Sequence, residues 1–225
     1  MPAFLSIQER IGAYRRAGKR LFATTSFQSH SVPLLHMLSL IDRTIPVYYA
    51  DTGYLFPATL TFRDHLRGLL GLQFIGLRPA VPKSQQRDAN GALMFTWDPD
   101  RCCDLNKVRP LEPILASHDV WINGVRADQS EVRKAMQVEQ PAAFGCLRYH
   151  PMLDWTARMV HHHIKVHALP PHPLEAEGYL SIGCEPCTRK LMHGYDERTS
   201  RWYGLKKTEC GLHTDLAMGN VQQPT

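Results

Sequence analysis

Nowhere in this 225-residue chain is there an apolar run long enough to span a bilayer. The longest, such as "VPLLHMLSLI", are short and broken by polar residues. The N-terminal "MPAFLSIQERIGAYRRAGKR" carries charges through its apolar positions and has no small-residue cleavage site. No signal peptide is therefore expected, and the cytoplasm is the expected compartment. Internal repeats and low-complexity segments are also missing. So is any dense basic run, although the net charge is +5. The basic residues Lys107, Arg109, Arg126, Arg189, Lys190, Arg198, Arg201, Lys206 and Lys207 sit singly or in pairs beside motifs. That spacing suits a small anionic ligand better than a nucleic-acid backbone or a membrane surface.

What is present is ordinary for a globular protein: 44% apolar and 21% charged residues, enough to bury a core without disulfides. Short apolar runs at 20–26, 45–51, 72–78 and 118–125 read as buried strands. Helical patterns at 5–17, 32–41, 56–71 and 127–136 alternate with them. In the first helix Leu5, Ile11 and Tyr14 are the expected apolar contacts, and Ser31 is the expected N-cap of the second, with Pro33 tolerated in its first turn. Alternation of this kind predicts an α/β fold with a parallel sheet. After residue 150 the character changes: a helix over 153–167, then a loop-rich C-terminal lobe expected to pack on the sheet edge. The chain is thus read as one domain, 1–225, with a core at 19–150, a lobe at 151–225 and a mobile tail whose last ten residues are expected to be disordered.

Ligands of open parallel sheets bind beyond the carboxyl ends of the strands, where helix N-termini offer free N–H groups. Three loops fall there: "SFQSHS", "DTGYLFP" and "GVRADQS". They nominate Ser26, Phe27, Ser31, Asp51, Thr52, Gly53, Gly124 and Arg126 as substrate contacts, in a nucleotide-site geometry.

The six cysteines carry the other signal. Cys102 and Cys103 are adjacent, and Cys184 and Cys187 form a C-x-x-C. Zinc prefers two knuckles of C-x2–4-C type. A tandem pair is a poor knuckle, because adjacent side chains diverge by about 100° on a helix and point oppositely on a strand. Two neighbouring thiolates reach two metal atoms more easily than one, so the pattern leans toward a 4Fe–4S cubane, with zinc and a disulfide as alternatives. Cys210, in "KKTECGLH", has Lys206 and Lys207 before it and His213 after it. Cationic neighbours raise thiolate content, which makes Cys210 a nucleophile candidate on a tail where burial is not expected. Cys146 in "AAFGCLRY" reads as a small core residue. The three histidines at 161–163 point different ways on a helix, so no metal site shared among them is expected, and His36 reads as a core histidine. Trp121 and Trp155 read as packing residues.

Taken in order, "YYADTGYLFPATLTFRDHL", "CCDLNKVRPLEP", "WINGVRADQS", "LDW", "LPPHPLEAEGYLSIGCEPCTRKL", "RTSRW" and "KKTECGLH" resemble the assimilatory sulfonucleotide reductases, the adenylyl-sulfate (APS) and phosphoadenylyl-sulfate (PAPS) reductase family. The resemblance implies the adenine-nucleotide α-hydrolase-like fold. It implies that Cys102, Cys103, Cys184 and Cys187 hold a 4Fe–4S cluster, that Cys210 is catalytic, and that Lys107, Arg126 and Arg201 bind the phosphosulfate. It further implies a thioredoxin-type dithiol donor, sulfite and AMP as products through an S-sulfocysteine, and APS as the preferred substrate because both cysteine pairs are present. A PAPS or dual-specificity enzyme is the alternative. The loop "SFQSHS" departs from the family's usual S-F-G-A-E-S: Gln28 replaces the glycine and His30 the acidic residue. An ATP pyrophosphatase-type sulfur transferase would need an S-G-G-x-D-S loop, which the chain lacks, and a structural zinc module would leave Cys210 idle. Oligomeric state is left open, a homo-oligomer included.

Overall fold

The computed structural model describes residues 2–191, 200–202, 207, 209–214 and 216. Six strands form one sheet in the order β3-β2-β1-β4-β6-β5. These are β1 (Leu21–Thr24), β2 (Val47–Ala50), β3 (Phe74–Leu77), β4 (Val120–Asn123), β5 (Glu139–Pro141) and β6 (Leu147–Tyr149). All neighbours run parallel except β5, which pairs antiparallel with β6. The helices are α1 (Pro2–Arg16), α2 (Val32–Ile41), α3 (Pro57–Leu70), α4 (Pro99–Cys103), α5 (Arg109–Ser117), α6 (Glu131–Lys134), α7 (Ala157–Val166) and α8 (Gly211–Thr214). A π-helical turn, Asp104–Val108, joins α4 to α5.

The central strands are short apolar runs because both sheet faces are covered. Side-chain alternation sorts them into two cores. Leu21, Ala23, Val120 and Ile122 pack with Ile7, Leu34, Leu66 and Val160 from α1, α2, α3 and α7. Phe22 and Trp121 face the other way, onto Leu111 and Leu115 of α5, Cys146 and Leu216. The buried Arg148 guanidinium lies 4.3 Å over the Trp121 ring. From β1 the chain moves outward through β2 and β3, then returns to the opposite side of β1 as β4. The crevice between the loops after β1 and β4 is therefore the topological switch point, where such sheets bind ligands.

Several expectations from sequence change in detail. Leu5 is 62% exposed, because α1 buries only the stripe through Ile7 and Ile11. Ser31 does not cap α2 through its side chain. A 3-10 turn, Ser29–Ser31, already precedes the helix, and the Ser31 hydroxyl lies 3.3 Å from that of Ser26. The helix predicted over 127–136 is interrupted at Ser130, which is fully extended and caps α6 by accepting from the Arg133 N–H. Strands β5 and β6 are three residues each, too short to leave a period-2 signature. Trp121 and Trp155 are buried, as a packing role requires. Among the described residues no helix is long and apolar enough to cross a membrane.

Candidate active site

A cavity of about 690 Å3 opens at the switch point. The loop after β1 forms one wall. Phe27 takes a left-handed backbone conformation there, φ 59°, and its ring is held edge-on against Tyr49 and Phe74 in the core. Such strain in a non-glycine residue persists only where the surroundings over-determine it. Ser26 and Ser31 border the cavity beside it. Gln28 stitches this loop to the C-terminal lobe. Its amide donates to Ser26 Oγ at 3.1 Å and its carbonyl accepts from the Ile182 N–H at 3.0 Å.

The loop after β4 supplies Gly124 and Arg126. Arg126 is 2% exposed, its Nε donating to Asp128 and its Nη1 to His30 Nδ1 at 2.8 Å. His30 thus holds one guanidinium nitrogen as a neutral acceptor, while the Asp128 carboxylate pairs with another. From the loop after β2, Thr52 and Leu55 reach the cavity. Asp51 turns aside to pair with Arg78, and Gly53 is exposed, its carbonyl accepting from Lys83. These two sequence-based candidates do not line the cavity: Asp51 is drawn off by Arg78, and the left-handed turn at Gly53, φ 71°, carries that residue outward.

Cys102, Cys103, Cys184 and Cys187 surround one small void next to the cavity. The π-helical turn after Cys103 widens the helix there, and its Lys107 borders both the void and the cavity. The Cys102–Cys103 pair ends α4, which Asp98 caps by accepting from the Arg101 N–H. The C-x-x-C loop docks on the "DTGY" loop through Glu185 N–H to the Tyr54 carbonyl, 2.7 Å. Thr52 Oγ1 lies 3.3 Å from Cys184 Sγ, and the Asn106 amide donates toward Cys102 Sγ at 3.6 Å. The buried Tyr54 hydroxyl, without a hydrogen-bond partner among the described residues, belongs to a residue that borders the same void. Four convergent sulfurs, sulfur-directed donors and an orphaned hydroxyl fit a sulfur-ligated metal group. Burial, then repulsion from Cys184 and Cys187, pushes Cys102 up to about 11, which disfavours its thiolate; a metal ion bound to the sulfurs would reverse that preference. Burial opposes charge on Lys107, but Cys184, Cys210 and Cys103 outweigh it and raise its pKa.

The chain after residue 200 closes the site. Arg201 is buried, with Nε donating to the Cys187 carbonyl at 3.3 Å and the guanidinium 4.7 Å over the Trp202 ring. Glu209 anchors the next turn, accepting from Ser130 Oγ at 2.7 Å and from Arg133 Nη2 at 3.2 Å, in an ion pair with both partners buried. Cys210, half-buried, follows directly and borders the cavity. A hydrogen bond from Cys103 lowers its pKa, with Lys107, the Leu212 N–H and Arg201 acting the same way against burial. Lys207 pairs with Asp100. Cys146, by contrast, is pushed up to about 12 by burial and is inert, as a core residue should be. Leu216, the first of the last ten residues, is buried, and its carbonyl accepts from the Ala143 N–H. Arg198 and Lys206, and the side chain of His213, lie outside the described residues. Sequence reasoning missed Ser130, Arg133 and Glu209; only the adjacency of Glu209 to Cys210 hinted at them.

A family profile described as the phosphoadenosine phosphosulfate reductase domain matches residues 20–190. The chain belongs to this family. It is 40% identical over 204 residues to an adenosine 5'-phosphosulfate reductase of Mesorhizobium japonicum, covering 88% of this chain and 80% of that one. It is 37% identical over 181 residues to one of Rhodococcus erythropolis, covering 80% and 73%. Among solved structures the phosphate complex of phosphoadenylyl-sulfate reductase from Candida auris aligns with TM-score 0.66 at 21% identity, covering 80% of this chain and 88% of that one. Yeast FAD synthetase in complex with FAD aligns at TM-score 0.54 and 14% identity, covering 76% and 58%. Those two show a common fold, the adenine-nucleotide α-hydrolase-like sheet expected of the reductase family.

Proposed function

We propose that this reductase converts APS to sulfite and AMP, with Cys210 as nucleophile and a thioredoxin-type dithiol as electron donor. The observation that carries the reading is the meeting of Cys210, Lys107, Arg126 and Arg201 around one cavity at the sheet's switch point. The Cys210 thiolate attacks the sulfate sulfur. The bond between that sulfur and the phosphate oxygen breaks, AMP leaves with the electron pair, and Cys210 becomes an S-sulfocysteine. Lys107, Arg126 and Arg201 offset the charge that grows on the leaving phosphate. A donor thiolate then attacks Cys210 Sγ and expels sulfite. The donor's second thiol resolves the mixed disulfide, so its two electrons are those gained by the sulfur.

Cys102, Cys103, Cys184 and Cys187 would hold a 4Fe–4S cluster. When bound it supplies fixed charge and order beside Lys107, not electrons. Its formation would take Cys103 as a thiolate ligand and so remove the Cys103 hydrogen bond to Cys210. Lys107, the Leu212 N–H and Arg201 remain to favour the nucleophile.

APS is favoured over PAPS because a 3'-phosphate needs a further cation. His30 already accepts from Arg126, and Arg133 is engaged by Glu209 and Gln129. The test is Cys210→Ser in anaerobically purified protein. It should keep the iron–sulfur absorbance and lose sulfite release by several orders of magnitude. Wild-type protein given APS and no thiol should gain a sulfonate on Cys210, visible by mass spectrometry. Near-normal turnover of the serine variant would overturn the assignment.

A further inference from the structure

Away from the cavity, three imidazoles converge where α2 meets α7. His163 lies on α7 and His167 is its C-cap, four residues on and so on the same helix face. His36 faces them from α2. The ring centroids are 5.3 Å apart for His36 and His163, 4.7 Å for His36 and His167, and 4.4 Å for His163 and His167. One ring nitrogen from each lies within 4.8 Å of the other two. His36 Nδ1 and His163 Nε2 are 3.1 Å apart. Two nitrogens bound to one zinc at 2.0–2.1 Å in tetrahedral geometry are about 3.3 Å apart. The half-buried pair is thus preset at nearly the separation a metal imposes, and the exposed His167 can close the remaining gap by a side-chain rotation. The Trp155 ring, 5.6 Å from that of His163, backs the cluster with an apolar wall.

His161, next to this cluster in sequence, lies instead beside His30, with ring centroids 6.1 Å apart. Reading His36 as a core histidine misses its position: it is half-buried against the other two rings. We propose that His36, His163 and His167 form a binding site for a first-row divalent metal ion, zinc above all, with a fourth position open to solvent. Three neutral imidazoles and an open site suit zinc, nickel or copper, and exclude calcium and magnesium, which take oxygen ligands. The bound ion would clip α7 to α2, the helix that leads out of the substrate loop.

The probe is zinc chloride added to anaerobically purified, brown protein, with binding followed by calorimetry and zinc-edge X-ray absorption. One zinc per chain should bind with a nitrogen and oxygen shell carrying imidazole scattering, and should raise the melting temperature. His167→Ala alters an exposed residue and should fold normally. It should weaken zinc binding by tenfold or more and abolish the thermal shift. His36→Gln should do the same. A zinc shell containing sulfur at about 2.3 Å would assign the metal to the cysteines and overturn the proposal. Equal zinc affinity in wild type and His167→Ala, or no zinc binding at all, would overturn it too.

Discussion

Gly183 stands directly before Cys184, and the reason it must be small lies 18 residues later in the chain. A methyl group built at 183 would sit 2.5 Å from Arg201 Cζ and 2.6 Å from Nη1, far inside the 3.5–4.0 Å at which such atoms attract. The Gly183 backbone itself is in a conformation open to alanine, and the obstructing atoms are the end of a flexible side chain. Gly183→Ala should therefore displace the Arg201 guanidinium rather than unfold the loop. The displaced group leaves the Cys187 carbonyl and the Trp202 face, and with them its position at the cavity. A charge-assisted contact to the phosphosulfate is worth about 1.5–3 kcal/mol, so substrate affinity should fall about 10- to 150-fold. The assay is anaerobic sulfite release over a range of APS, with AMP binding measured in parallel and visible absorbance to monitor the proposed iron–sulfur group. Arg201→Ala should lower affinity by a similar amount, and the double variant should lose little more than either single one, because both remove the same contact. Unchanged affinity in Gly183→Ala, or losses that add in the double variant, would refute the reasoning.

Glu209→Gln keeps a side chain able to reach Ser130 but removes the buried charge facing Arg133, and it should undock the Cys210 turn. Turnover should fall by about tenfold or more while iodoacetamide modifies Cys210 faster; unchanged rates for both would mean that the ion pair is not the latch. Lys107→Met should lower kcat/KM by about tenfold or more and also shift the visible absorbance of the proposed cluster, since Lys107 borders both the cysteine void and the cavity. A loss of activity with an unaltered spectrum would separate the two. Burial takes His172 down to about 4, and it takes His150 to about 4 against the pull of the Gln137 carbonyl. Both are depressed below the unfolded value, so their stability contribution is complete above about pH 6.5 and is lost as pH falls toward 4. Urea midpoints should drop across that window with a slope of up to about 1.4 kcal/mol per pH unit for each histidine. His172→Asn should flatten the profile; an unchanged slope would show that His172 is not its source.

Much of the architecture was legible because its determinants are local. Strands β1 to β4 are apolar runs bounded by turn residues, and α2, α3 and α7 keep a helical period, so the parallel α/β sheet follows from pattern alone. The antiparallel edge of β5 and β6 did not, since three residues per strand carry too little periodicity and their pairing is settled by the sheet edge they meet. The cysteine spacing likewise separated two close pairs from a solitary Cys210.

Which cysteine faces which partner was decided only in three dimensions. The π-helical turn after Cys103 brings Lys107 to border both the cysteine void and the cavity, and nothing in "CCDLNK" announces that helical register. Arg126 and His30 are 96 residues apart in sequence, Gln28 and Ile182 154, and Ser130 and Glu209 79, yet each pair shares a hydrogen bond that shapes the cavity wall. Such contacts join segments that come together only when the sheet has formed. Asp51 and Gly53 show the converse: they belong to a motif loop, but the Arg78 ion pair and the left-handed turn at Gly53 direct them away, while Thr52 and Leu55 face the cavity. Residue types and local spacing determined the sheet, the sulfur chemistry and the cationic character of the site. Tertiary packing alone decided which of those groups meet, because orientation and long-range contact are properties of the folded chain and leave no trace in local pattern.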